Sequence, residues 1–164
     1  METNLTKNPS LLAWLDEKVE LLKPSKIMWI DGSKEQIDAL KKEAVETGEM
    51  IKLNEDLLPD CYLHRTAEND VARVEDRTLI CSKEEKDAGP TNHWMEPSKA
   101  YKMLYDIARA SYQGRTMYII PYSMGPVGSP FSKIGVEITD SIYVVLNMNI
   151  MTRIGKKVLD TLGD

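Results

Sequence analysis

The 164-residue sequence predicts an α/β domain, a mixed sheet with flanking helices. Three observations favour this class. Two segments near the N-terminus carry apolar residues at helical spacing, and a short apolar run follows each of them. A longer run, residues 116–122, is almost wholly apolar, as is typical of a buried strand. The length suits a single domain with its own core.

The first helix and the first strand occupy the first thirty residues. Ser10 can cap a helix whose apolar residues recur at helical spacing, and Pro24 ends it. Residues 26–30, KIMWI, form a short apolar run that predicts a strand. The residues that follow, DGS, are typical of a turn. This stretch therefore predicts a helix that leads through a short connection into a strand.

The second helix and the second strand follow this turn. Ser33 and Gln36 have the spacing of a capping box, which marks a helix N-terminus. The helix ends near Gly48, a suitable residue just beyond a helix C-terminus. Residues 50–53 predict the second strand. The order helix, strand, helix, strand indicates a layered α/β architecture.

In the remaining two-thirds of the chain, segments with periodic apolar residues are few at the start and more frequent towards the end. Residues 54–76 predict mostly loop, and residues 142–154 are ambiguous because β-branched content favours a strand whereas their length favours a helix. We predict the helix. In chain order, the elements predicted after residue 76 are a strand at 77–82, a helix at 98–112, a strand at 116–122 that Pro121 ends at a sheet edge, a strand at 133–139 and a helix at 142–154.

Composition and charge exclude several classes of protein. The net charge is −5 and the sequence shows no basic stripe, so we expect no nucleic-acid partner. No apolar run approaches the roughly 18 residues that cross a bilayer, and the first residues do not resemble a secretory signal. Cys61 and Cys81 cannot form a disulfide framework, and we expect both to be small buried hydrophobic residues. These features predict a cytoplasmic protein.

The segment YSMGPVGSPFSKIG, residues 122–135, looks like a loop that could hold a phosphate. A phosphate-binding Walker loop needs a lysine and a hydroxyl residue directly after its second glycine. Here Gly128 is followed by serine and proline, and Lys133 comes too late and opens a predicted strand. The two prolines also lack the N–H groups that such a loop donates. We predict a stiff connection between two strands.

The other residues with possible chemistry form no complete catalytic set. His64 and His93 both lie in polar connections, where a solvated histidine is expected, and neither has a second metal-type ligand at useful spacing. Glu84 and Glu85 lie in a charged stretch and are expected to be solvated. No Gly-x-Ser-x-Gly motif occurs.

Arg73 is the most interesting charged residue because its neighbours, Val71, Ala72 and Val74, are small and apolar. Two interpretations remain open from the pattern alone. The guanidinium can pair with a nearby carboxylate, as most arginines do. It can also clamp a carboxylate or a phosphate of a ligand, because its planar fork suits bidentate anion binding.

Three long motifs closely resemble GTP-dependent phosphoenolpyruvate carboxykinase. They are DVARVEDRTLICS (70–82), KDAGPTNHWMEP (86–97) and GRTMYIIPYSMGPVGSPFSKIGVEITDSIYVVLNMNIMTRIG (114–155). The resemblance covers about residues 10–164. It implies that residues 1–164 are a truncated N-terminal domain, and that the nucleotide- and metal-binding domain is absent from this chain.

The resemblance implies a gluconeogenic lyase that converts oxaloacetate and GTP to phosphoenolpyruvate, GDP and CO2. It implies Mn²⁺ at the site, a second divalent ion such as Mg²⁺ on GTP, and a monomeric complete enzyme. Arg73 matches an arginine that grips the substrate, and Glu75 matches a glutamate that meets a closed lid. No catalytic, metal-binding or cofactor-binding residue of the family is matched in this chain. Ile142 and Asn149 depart from the family pattern, which usually has proline and arginine there.

Two functions therefore remain in view: an N-terminal part of this decarboxylating kinase, and a stand-alone module that binds a dicarboxylate or a partner without catalysis. The run 116–122 has no charge, which favours the first function. A stand-alone module would be expected to protect its unpaired strand edges with charge or proline. We expect the isolated chain to be inactive. We also expect residues 116–122 and 133–154 to be exposed or self-associated in it.

Overall fold

The computed structural model describes residues 5–70, 74–75 and 78–163, and these form a sheet between two layers of helices. The described helices are α1 (Pro9–Leu22), α2 (Lys34–Glu46), α3 (Pro97–Ala108), α4 (Ile142–Met151) and α5 (Lys156–Leu162). The described strands are β1 (Lys26–Trp29), β2 (Ile51–Lys52), β3 (Tyr62–Leu63), β4 (Leu79–Ile80), β5 (His93–Trp94), β6 (Thr116–Met124), β7 (Lys133–Thr139) and β8 (Arg153–Ile154). The predicted α/β class with a mixed sheet is confirmed.

Strand β6 is the centre of the main sheet. Strand β1 pairs with it in parallel over residues 116–119, and β7 pairs antiparallel along its other edge over residues 118–124. The short strand β8 pairs antiparallel with Tyr122 and Ser123, beyond the end of β1. The sheet is therefore mixed, and β6 has a neighbour on both edges.

The side chains of β6 alternate between two apolar clusters. Met117 and Ile119 pack with residues of α1 and α5, whereas Tyr118 and Ile120 pack with residues of α2 and α4. All four are at most 3% exposed. The expectation that residues 116–122 are exposed is therefore wrong, because helices cover both faces of this strand. In residues 133–154 only some side chains are exposed. Large ones among them, such as Ile150 and Met151, lie at the end of α4.

Pro121 lies inside the central strand and does not end it at a sheet edge. Its carbonyl accepts a hydrogen bond from the N–H of Gly155 at 2.9 Å, so its nitrogen faces the same side. On that side β1 has already ended, since its last pair joins Trp29 to Ile119. The proline therefore interrupts no ladder hydrogen bond, which explains why a central strand tolerates it.

Helix α1 begins earlier than its predicted cap. The side chain of Asn8 accepts a hydrogen bond from the N–H of Leu11 at 3.0 Å, and Pro9 occupies the first helical position. Proline suits this position because its missing N–H is one of those that a helix start leaves free. Asn8 is thus the cap, and Ser10 lies inside the helix.

The predicted capping box of α2 is half confirmed. The Ser33 hydroxyl accepts from the N–H of Gln36 at 3.3 Å, as predicted. The Gln36 side chain, however, accepts from the N–H of Asp31 at 2.9 Å and donates to the carbonyl of Trp29 at 2.8 Å. This amide therefore fastens the start of α2 to the end of β1.

Two small two-stranded sheets lie apart from the main sheet. Strand β2 pairs antiparallel with β3, and β4 pairs in parallel with β5. Strands β2 and β4 are shorter than the strands predicted at 50–53 and 77–82. Strand β3 lies within the predicted loop 54–76. Cys61 and Cys81 flank β3 and β4 and are exposed, so the expectation that they are buried is wrong. Neither residue belongs to the helix-covered core clusters.

Helices α3 and α4 differ from their predicted bounds. Helix α3 ends at Ala108 because the N–H groups of Ala110 and Tyr112 turn to the last carbonyls of α1. Its Ile107 is 71% exposed. The ambiguous segment 142–154 is helical up to Met151, as predicted, and then forms β8. In the described part of the chain, no helix combines the length and apolar character that a membrane crossing needs.

Candidate functional site

The candidate site is a cleft of about 530 Å³ beside the β4–β5 pair, lined by Val74, Glu75, Thr78, Ile80, Thr91, Asn92 and His93. It brings together two of the three motifs quoted above, residues 70–82 and 86–97. Its described polar groups are a carboxylate, an imidazole, an amide and two hydroxyls. The cleft therefore presents both polar and apolar surface and faces solvent.

Backbone contacts fix both walls of this cleft. On one wall, the Thr78 hydroxyl donates to the carbonyl of Val74 at 2.7 Å and its N–H donates to the carbonyl of Glu75 at 3.2 Å. These bonds close a tight turn that carries the Glu75 side chain. The turn leads directly into β4, and Leu79 pairs with His93 on the other wall.

Asn92 and Trp94 hold the second wall in place. The Asn92 amide donates to the carbonyl of Ala88 at 2.6 Å, closing the turn before β5. Gly89 is in the left-handed region with φ of 87°, and a Cβ there would lie 3.3 Å from the Asn92 amide nitrogen. The Trp94 indole donates to the carbonyl of Ser82 at 3.0 Å. Together these contacts tie the motif around residue 90 to the motif around residue 80.

Of the residues predicted from the sequence, Glu75 lines the cleft, and Arg73 lies outside the described residues. His93 is exposed, as predicted, but it also lines the cleft. The sequence reasoning missed this position, along with Thr78 and Asn92. One signal could have pointed to these positions: the motifs 70–82 and 86–97 both belong to the family resemblance. The sequence does not show that the two motifs touch, because their contact depends on the parallel β4–β5 pair.

His64 is not a solvated histidine, contrary to the prediction. Its ring stacks on Tyr143 with centroids 4.0 Å apart, and its Nδ1 lies 2.7 Å from the carbonyl oxygen of Glu49. The Glu49 carboxylate in turn accepts from the Ser141 hydroxyl at 2.6 Å and from the N–H of Tyr143 at 2.9 Å. This group joins the start of α4 to the chain around β2 and β3, and none of its residues lines the cleft.

The glycine-rich segment has the predicted form of a connection between strands. It joins β6 to β7, which pair directly, and Lys133 is the first residue of β7. Gly125 and Gly128 are in the left-handed region with φ of 94° and 82°. Within the described ranges, no group of three or more histidine, cysteine, aspartate or glutamate residues is placed to hold a metal ion.

A family model described as "Phosphoenolpyruvate carboxykinase N-terminal domain" matches residues 13–164. Curated proteins named "Phosphoenolpyruvate carboxykinase [GTP]" are also similar to the chain. The protein from Anaeromyxobacter dehalogenans (strain 2CP-C) is 51% identical over 159 residues, which cover 97% of this chain and 27% of that protein. The protein from Neocallimastix frontalis is 53% identical over 156 residues, which cover 95% and 26% respectively.

A third relative, from Corynebacterium jeikeium (strain K411), is 49% identical over 159 residues. These residues cover 97% of this chain and 26% of that protein. The chain thus spans about a quarter of the length of the curated relatives it matches. The match includes the turn at Glu75, the wall at His93 and the central strand.

Proposed function

Because the chain belongs to the phosphoenolpyruvate carboxykinase N-terminal domain family, we propose that it is the substrate-positioning part of a GTP-dependent phosphoenolpyruvate carboxykinase. The complete enzyme would convert oxaloacetate and GTP to phosphoenolpyruvate, GDP and CO2. The observation that carries this proposal is the identity of about 50% along 97% of the chain to proteins named for that activity. The domain assignment 1–164 belongs to the same proposal.

In this proposal Arg73 binds the substrate. Arg73 directly precedes Val74, which lines the cleft. A guanidinium supplies the paired donors that a carboxylate or a phosphate accepts. The described lining contributes a carboxylate, an imidazole, an amide and hydroxyls, so an anionic substrate there would need an added cation. Glu75, on the turn that Thr78 closes, would contact a lid that closes over the substrate.

The metals and the nucleotide would be held by polypeptide outside this chain. Phosphoryl transfer needs metal ions and cations around the transferred group, and the developing enolate also needs a nearby cation. Mn²⁺ and Mg²⁺ bound to GTP would supply that charge in the complete enzyme, whereas this chain's part is to bind and orient the dicarboxylate. We therefore propose that the isolated chain is inactive. A cytoplasmic location and a monomeric complete enzyme belong to the same proposal.

The test is a chimeric enzyme in which this chain replaces the matched quarter of the 51% identical relative. We expect the chimera to form phosphoenolpyruvate only when oxaloacetate and GTP are both present, and we expect the isolated chain to form none. Arg73→Ala in the chimera should raise KM for oxaloacetate and lower kcat. Arg65→Ala, at an exposed position, is the matched control. A folded chimera without activity, or an active isolated chain, would refute the proposal.

A further inference from the structure

The turn that carries Val74 and Glu75 depends on a side chain for one of its hydrogen bonds. The Thr78 hydroxyl donates to the carbonyl of Val74 at 2.7 Å, whereas the N–H of Thr78 donates to the carbonyl of Glu75 at 3.2 Å. One residue thus engages two successive carbonyls. Among the described residues, no backbone N–H donates to the carbonyl of Val74, so the hydroxyl supplies a bond that the main chain supplies in regular structure.

Two other threonines of the described ranges show how a hydroxyl bond of this kind can be redundant. The Thr47 hydroxyl donates to the carbonyl of Glu43, four residues earlier, at 2.9 Å. The Thr152 hydroxyl donates in the same way to the carbonyl of Met148 at 2.6 Å. At both positions the N–H of the same threonine also donates to that carbonyl at 2.9 Å, at the end of α2 and of α4. These carbonyls therefore stay bonded without the hydroxyl, whereas the described part of the chain holds no such second bond at Thr78.

The turn is anchored on the side that leads into the β4–β5 pair. Thr78 directly precedes Leu79, the residue of β4 that pairs with His93 of β5. The other side of the turn begins at Val74, which directly follows Arg73 in the sequence. The Thr78 hydroxyl is thus the described contact that ties the anchored side of the turn to the residue next to Arg73.

We propose that Thr78 is a positioning residue: through the carbonyl of Val74, its hydroxyl fixes the direction in which Arg73 presents its guanidinium to the dicarboxylate. The inference rests on the proposed function, which assigns substrate binding to Arg73. A guanidinium meets a carboxylate at two points, so a rotation of the backbone beside it weakens both hydrogen bonds at once. The imidazole wall of the cleft then serves as the fixed support against which the turn is held.

The experiment uses the chimera described above and removes only the hydroxyl donor. Thr78→Val keeps the branched shape of the side chain. We expect kcat/KM for oxaloacetate to fall about tenfold, with a higher KM and a lower kcat, because a misplaced binding group orients the substrate poorly. KM for GTP should not change. Thr78→Ser, which retains a hydroxyl, should recover most of the loss.

Thr47→Val is the matched control. It removes an exposed hydroxyl donor of the same kind, while the N–H of Thr47 keeps the carbonyl of Glu43 bonded. It should leave the kinetic constants unchanged. A double-mutant cycle then tests whether Thr78 acts through Arg73. In the Arg73→Ala background Thr78→Val should cause little further loss, whereas a purely structural role would cause the same loss in both backgrounds.

An active chimera whose constants for oxaloacetate do not respond to Thr78→Val would overturn this inference and leave the proposed function standing. Equal losses in the two backgrounds would overturn it as well. A folded chimera without activity would remove the proposed function and this inference together. If the chimera does not fold, backbone NMR order parameters of the isolated chain decide: lower values at Val74 and Glu75 in Thr78→Val support the inference, and unchanged values refute it.

Discussion

Arg73 carries the substrate-binding part of the proposed function, and the geometry of its side chain can be tested separately from its charge. A guanidinium binds a carboxylate with two parallel hydrogen bonds, whereas a lysine ammonium acts as a single point charge. Arg73→Lys keeps the charge and removes the fork. The size of its effect therefore shows whether two donors are used at this position.

We predict that Arg73→Lys lowers kcat/KM for oxaloacetate in the chimeric enzyme by about tenfold or more, which corresponds to the loss of one charged hydrogen bond of about 1.4 kcal/mol or more. KM for GTP should change little, because the nucleotide binds elsewhere in the proposal. Steady-state kinetics with each substrate varied in turn measure both values. Arg65→Lys is the control, and equal effects of the two substitutions would remove Arg73 from the site.

Tyr118 predicts a pH dependence of stability at alkaline pH. Burial in the core, with Glu43 and Glu49 as further causes, raises the pKa of the Tyr118 phenol to about 12. A tyrosine in the unfolded chain titrates near pH 10. The folded state therefore favours the protonated phenol, and the stabilisation is complete below about pH 10 and is lost as the pH rises through about 12.

We predict that urea unfolding of the isolated chain shows a fall in stability above about pH 10 that is smaller in Tyr118→Phe. The two proteins share every other ionisable group, so the difference between the two curves reports Tyr118. Parallel curves between pH 9 and 11.5 would show that this phenol titrates normally.

At the scale of elements, the start of α4 depends on a carboxylate from a distant part of the chain. Ser141 caps the helix in the usual way, accepting from the N–H of Val144 at 3.4 Å. Glu49 adds a half-buried negative charge at this N-terminus, where the helix dipole favours anions.

We predict that Glu49→Gln destabilises the chain by about 1–2 kcal/mol, because the helix start loses this negative charge. Glu20→Gln, at an exposed position on α1, should have little effect, and urea unfolding of both variants at pH 7 compares them.

The contact between the turn after β1 and the turn before α5 needs glycine for two reasons. Gly155 has φ of 105°, and a Cβ there would lie 2.2 Å from the carbonyl oxygen of Asp31. Gly48 has φ of 79°, but a Cβ there would meet nothing within 4 Å. Alanine at Gly48 therefore adds only backbone strain, whereas alanine at Gly155 adds strain and a clash with backbone.

We predict that Gly48→Ala costs about 1–2 kcal/mol of stability and that Gly155→Ala costs clearly more, because the two turns must move apart. Comparison of the two free energies of unfolding by urea isolates the clash. Equal losses would mean that the two turns separate without cost. In that case the contact would not fix the position of α5.

The elements that the sequence predicted well are those whose signals are local. Ser33 is an N-cap whose bonding partner lies three residues away, and β7 occupies exactly the alternating segment 133–139. The two-residue strands could not be delimited in this way, because pairing with a distant segment decides their length. The candidate site has the same limit: Glu75 was predicted through the resemblance, but the cleft exists only because Leu79 pairs with His93.

At the scale of the whole molecule, the order in which parts of the chain open should follow burial. Amides of β6 lie between two strands and beneath helices on both faces, so they should exchange only when the core unfolds. The β2–β3 and β4–β5 pairs have only two residues in each strand, and several of these are exposed. They should exchange by local opening at a far lower free energy.

Val145→Ala separates these two kinds of opening. Val145 is fully buried in α4 and belongs to the cluster that covers Tyr118 and Ile120. Its truncation should lower global stability by about 2 kcal/mol, since it removes two buried methyl groups and leaves a cavity. We predict that native-state hydrogen exchange of residues 117–120 accelerates by the corresponding factor of about thirty, whereas exchange of Ile51 and Leu63 does not change. If both regions accelerated together, the small sheets would be part of the same cooperative unit as the main sheet, and the candidate cleft would then be as stable as the core.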